Sequence, residues 1–104
     1  MIQYQLSNLD ELNSVSNLFK VLGHPKRLQL LYLLIQNSMT VSQISESLSW
    51  EQSAVSHQLQ LLRKQHFVSA VRHGKQVVYR LDNPVVMTLI ADAVNSLKNE
   101  NMRQ

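Results

Sequence analysis

Between residues 51 and 66 the chain reads EQSAVSHQLQLLRKQH. If this stretch is helical, Val55, Leu59 and Leu62 fall at i, i+4 and i+7 on one face, and Ser53, Ser56, His57, Gln60 and Lys64 fall on the other. Adjacent Ser56 and His57 diverge by about 100° on a helix, so they cannot act as nucleophile and base within one chain. No HExxH, nucleophile elbow or glycine-rich phosphate loop occurs elsewhere, so an enzyme is not expected. The polar face is then either an ordinary solvated surface or a recognition surface. Short hydroxyls, an imidazole and a carboxamide can approach base edges, and basic side chains adjoin them. Residues 51–80 hold Arg63, Lys64, Arg72, Lys75 and Arg80 against the single acid Glu51, a local +4 in a chain whose net charge is only +3. Such concentration is the footprint expected of a polyanion-binding surface, but ordinary domains also carry such clusters by chance, and charge alone does not decide between the two.

The other chemistry-bearing residues read more plainly. There is no cysteine, which excludes disulfides, thiolate metal ligands and iron–sulfur clusters. Of the four histidines, His57 and His66 are nine apart on the expected helix and point to opposite sides, with no His or carboxylate one turn away. His24 stands beside Pro25 at the start of a helix, and His73 lies in a turn. No cofactor is expected, and the histidines read as unrelated surface or capping residues, which leaves open only a metal site of non-standard make-up.

The elements that must hold this surface follow from periodicity. Leu12, Val15, Phe19 and Leu22 recur on one stripe of a first helix (α1, about 8–22), with Ser7 as its cap and Gly23 ending it. Pro25 opens a second helix (α2), KRLQLLYLLIQ, with leucines on nearly every side; it reads as the centre of the core. Thr40 and Gln43 are spaced as a capping box for a short third helix (α3, about 41–48), packed through Val41, Ile44 and Leu48. After the fourth helix (α4, about 51–66) the period changes to two. Val68 and Ala70, then Val77, Tyr79 and Leu81, mark a hairpin (β1–β2, about 68–81) turning at His73-Gly74-Lys75. Asp82 or Asn83 caps a last helix (α5, about 84–98) with the stripe Val86, Leu89, Ala93, Val94 and Leu97, beyond which the tail should fray. Trp50, in the turn between α3 and α4, either packs under that turn or lies near a nucleic-acid backbone; packing is the reading preferred. Residues 1–104 read as one domain, mainly α (α+β) in class. No signal-type start and no membrane-length apolar run is seen, so a cytoplasmic protein is expected.

The segments LGHPKRLQLLYLL, VSQISESL, QSAVSHQLQLLRKQHFV and RHGKQVVYRL resemble the ArsR/SmtB family of winged helix-turn-helix transcriptional repressors, over about Phe19 to Leu81. The resemblance implies the order α1-α2-α3-α4-β1-β2-α5 and a homodimer formed through α1 and α5. It implies α4 as the recognition helix, with Gln52, Ser53, Ser56, His57 and Gln60 toward the DNA groove. Arg63, Lys64, Arg72 and Lys75 would hold phosphates, with His73 at the wing tip also within reach. Dimer contacts would come from Leu12, Val15, Phe19, Val86, Leu89, Ala93, Val94 and Leu97. The partners are then double-stranded operator DNA and a second copy, with an unidentified inducer. Family members commonly sense metals, but the positions used by two known metal sites read Thr40-Val41-Ser42, and Asn83, Val85, Ser96 and Asn99, none of them good ligands. The rival expectation is a winged-helix module that binds protein or RNA instead of an operator.

Overall fold

The computed structural model describes residues 9–102; the expected cap Ser7 lies outside them. Their order is α1 (Leu9–Leu22), α2 (Pro25–Gln36), α3 (Val41–Leu48), α4 (Gln52–Lys64), β1 (Val68–His73), β2 (Gln76–Leu81) and α5 (Pro84–Met102). α2 lies at the centre, packing against α1, α3, β2 and α5. Its Leu30, Leu31 and Leu34 are buried together with Ile44 of α3, Val55, Leu59 and Leu62 of α4, Phe67, Val68, Leu81, and Val86 and Ile90 of α5. One apolar cluster therefore seats the helix-turn-helix, the hairpin and the start of the last helix.

The local chemistry of the ends explains where elements stop. The capping box of α3 is complete: the Gln43 amide N–H donates to Thr40 Oγ1 at 3.2 Å, and the Thr40 N–H donates to Gln43 Oε1 at 2.9 Å. At α5 it is Asn83 that caps, its Oδ1 accepting from the Val86 N–H at 3.2 Å.

Two expected ends are corrected. α4 stops at Lys64, not near 66, because His66 adopts a left-handed conformation (φ 62°). The His66 N–H reaches Arg63 O and the Phe67 N–H reaches Leu62 O, at 3.1 and 2.9 Å, the paired bonds of a Schellman cap, with the buried Phe67 as its apolar residue. His57 and His66 are thus not on one helix. α5 runs on to Met102, past the expected end near 98, since Lys98-Asn99-Glu100-Asn101 contains no proline or glycine to stop it.

The hairpin is antiparallel, pairing Val68 with Leu81 through to His73 with Gln76, so its loop is the two residues Gly74-Lys75. Gly74 has φ +62°, the first central position of a type II′ turn, where glycine is preferred. A Cβ there would meet nothing within 4 Å. The cost of Gly74→Ala is therefore purely conformational, and thermal unfolding should show a loss of about 1 kcal/mol. The base of the hairpin is anchored by Met39, whose N–H and C=O pair with Tyr79 at 2.9 and 2.7 Å. Trp50 is half-buried against the core, as expected. Its N–H donates to Ser45 O, and the Ser45 hydroxyl donates back to the Trp50 carbonyl.

Candidate nucleic-acid interface

α4 is held from three sides, which fixes what it shows to solvent. Beneath it Val55, Leu59 and Leu62 are fully buried. On one flank Gln52 Nε2 donates to Ser42 Oγ of α3 at 3.3 Å. On the other, Arg27 Nε donates to Gln58 Oε1 at 3.1 Å while its guanidinium also reaches Val21 O at 3.4 Å. With about 100° between residues, Ser53, His57, Gln60 and Lys64 then lie within roughly 60° of one another, opposite the buried stripe. All four are exposed. Ser56 and Arg63 sit nearer the α3 flank, Ser56 half-buried and Arg63 exposed, and Gln52 is exposed beside them. Gln58 is the residue that sequence reasoning passed over. Its partner Arg27 lies 31 positions away, a separation to which helical periodicity is blind.

The basic residues of the hairpin divide by the pleat. Arg72 pairs with Val77 and His73 with Gln76, so the two project from opposite faces, and Lys75 occupies the turn itself. All three are exposed. The tip borders a cleft of about 280 Å3, walled by Thr40, Val41 and Ser42 opposite Lys75 and Val77, which brings the turn beside the start of α3. Among the described residues, Arg63, Lys64, Arg72 and Lys75 make no ion pair with the protein's own acids. Their charge is open to an external anion. Arg80 differs: it donates to Ser69 Oγ at 3.2 Å and stands 3.8 Å from Asp82, so it serves the hairpin.

The arrangement is two helices at a tight turn, an exposed polar face on the second, and a basic hairpin beside it. The sequence profile of the bacterial regulatory proteins of the arsR family matches residues 24–70, a span that takes in α2, α3, α4 and the start of β1. A transcriptional repressor SmtB homolog of Synechocystis is 31% identical over 100 residues, 96% of this chain and 76% of that one. The chain belongs to the arsR family. Solved structures of other proteins share its architecture along nearly the whole length. The crystal structure of the antimony-specific repressor AntR superposes with a TM-score of 0.85 at 30% identity, covering 100% of this chain and 94% of that one. The homodimeric winged helix-turn-helix DNA-binding domain of Mb0332 from Mycobacterium bovis gives 0.78 at 28%, covering 98% and 94%.

The positions that the ArsR resemblance assigns to metal ligands do not suit a metal. Thr40 Oγ1 is engaged in the α3 cap, Ser42 Oγ accepts from Gln52, and Asn83 is spent capping α5 and donating to His66 O at 3.4 Å. Val85 offers no donor atom. Among the described residues no three His, Asp or Glu side chains gather into a metal-binding group.

The expected dimer stripe is divided by the fold. Leu12, Val15, Phe19, Leu89 and Leu97 are exposed apolar side chains, with Ala93 exposed among them. Val94 is half-buried against the core. Val86 is corrected: it is 0% exposed in the single chain, directed into the core at the first turn of α5, so it has no surface to give a partner.

Proposed function

We propose that this member of the arsR family is a sequence-specific transcriptional repressor that binds a two-fold symmetric operator as a homodimer in the cytoplasm and is released by an inducer. The observation that carries the reading is the face of α4: Ser53, His57, Gln60 and Lys64 exposed together on a helix whose opposite side is fully buried. A helix so seated is presented rigidly to a major groove, and the wing beside it supplies cations for the backbone. Gln60 has the carboxamide that pairs with adenine N6 and N7, while Lys64, Arg63, Arg72 and Lys75 position without reading sequence. A repressor needs nothing more than this: occupying the operator excludes polymerase.

The second copy is supported by α1 and α5. Leu12, Val15, Phe19, Leu89 and Leu97 are large apolar residues left in water by a single chain, and a two-fold axis would cover them while setting two recognition helices along one face of DNA. Phe19 of α1 lines one groove with Leu89 and Ala93 of α5, which is more than scattered exposure requires.

Binding to the duplex upstream of the protein's own gene, followed at increasing salt, tests the function. One dimer per site and a steep salt slope are expected; a flat response would overturn the proposal. Within that assay the roles separate. Gln60→Ala should lose about 1–3 kcal/mol of discrimination against the wrong base at one position, with the salt slope unchanged. Lys75→Ala should weaken specific and random duplexes alike and lower the slope by about 1 per protomer. Equal effects of both substitutions on both kinds of DNA would refute the division.

A further inference from the structure

A cleft of about 390 Å3 opens on the flank of α4 opposite α3, walled by Lys26 of α2, Ser49 and Trp50 of the turn, and Ala54 and His57 of α4. None of the basic residues assigned above to DNA lies in it. Its central feature is a cation held over an aromatic ring: Lys26 Nζ stands 5.9 Å from the centroid of Trp50. The ring is half-buried and therefore fixed, while Lys26 is exposed. A lysine leaning on an indole face keeps its ammonium protons free for a second, anionic partner and has less rotamer freedom left to lose on binding it. Among the described residues Lys26 makes no ion pair.

Position decides which anion. His57 belongs both to this cleft and to the exposed face of α4, so whatever lies along that face continues into the cleft. Given the DNA-binding reading, on which this inference rests, we propose that the Lys26–Trp50 cleft seats a backbone phosphate of the bound duplex, carrying the footprint past α4 and the wing to the first turn of α2. Lys26 supplies the charge, the Trp50 face holds it in place, and the Ser49 hydroxyl borders the same space. The Glu51 carboxylate also borders the cleft and opposes an anion there, which makes the net attraction smaller than a lone lysine would give. Its removal is a second handle on the site.

Trp50 is the sole tryptophan, so its fluorescence reports on this cleft alone. The full-length protein is titrated with a mixed-sequence duplex at low salt, with binding read by anisotropy of the labelled DNA and the cleft read by iodide quenching of Trp50. Bound duplex should shield Trp50. Lys26→Ala should weaken binding several-fold and lower the salt slope by about 1 per protomer, and Lys26→Arg should restore the slope. Glu51→Gln should tighten binding. Circular dichroism should be unchanged throughout, because both residues are exposed. A duplex that binds the wild type while Trp50 stays open to iodide, with the Lys26→Ala slope unaltered, overturns the phosphate site and leaves the DNA reading standing. Shielding by inorganic phosphate alone at matched ionic strength overturns it too, in favour of a free anion. Failure of the wild type to bind any duplex overturns both.

Discussion

Replacing Phe19 with glutamate should leave a folded monomer whose operator affinity is lower by a factor of about 10²–10⁴. Phe19 is 57% exposed in the single chain, so the substitution removes little from the core. Its ring instead borders a groove of about 310 Å3 formed with Leu22 and Leu28 on one side and Leu89 and Ala93 of α5 on the other. In a dimer closed over this groove a carboxylate would be buried without a partner, and that is costlier than the apolar contact it replaces. Each released protomer would retain its own recognition helix and wing. What it would lose is the linked second half-site, because the second contact no longer forms at the high effective concentration that a joined partner provides. Sedimentation gives the oligomeric state, circular dichroism the fold, and anisotropy the affinity. Leu97→Lys, at a side chain 62% exposed near the other end of the seam, should act in the same direction. If either variant remains a dimer, or if a monomer binds the operator undiminished, the seam is misplaced.

Leu59→Ala acts on the opposite side of the same function and should cost about 2–5 kcal/mol of unfolding free energy. Leu59 is 0% exposed, between the fully buried Val55 and Leu62, and its side chain is what presses the middle of α4 onto the core. Truncating it removes the transfer energy of the buried methyl groups and leaves a void that close-packed neighbours fill only in part. For a domain of this size each kcal/mol moves the midpoint by about 4–8 °C, so a drop of about 8 °C or more is expected in a thermal melt. The contrast with Gln60, the next residue, is the sharper test. Gln60 is exposed, and its replacement by alanine should change stability by no more than about 0.5 kcal/mol while altering sequence preference. A loss below about 1 kcal/mol at Leu59 would mean that α4 is not seated as described.

These two residues also show why so much of the interface was legible in advance. Leu59 and Gln60 differ in one property, and at about 100° per residue that property sorts them to opposite faces. The same local physics placed the Thr40–Gln43 box, the glycine of the hairpin turn and the caps near Asn83, because each depends on residues within a few positions of one another. It failed where two patterns competed. The segment after Lys64 keeps polar residues that a helix would accept, yet burial of Phe67 and the paired bonds back to Leu62 and Arg63 drew His66 into the left-handed region and ended the helix early. Nor can a stripe announce what covers it. Val86 and Leu89 belong to one apolar run, but Val86 meets the core under α2 and Leu89 is 37% exposed.

For the exposed polar face of α4, then, the sequence by itself determined which side chains point away from the core, since alternation of apolar and polar residues at helical spacing is a local property. It also determined the order of elements and the basic character of the hairpin. Only the tertiary structure decided how that face is held and what adjoins it. Arg27 on Gln58, Gln52 on Ser42, Met39 on Tyr79 and Lys26 over Trp50 all join residues that share no element and lie ten or more positions apart. Contacts of that kind arise when the elements pack around a shared core, and no periodicity along the chain encodes them.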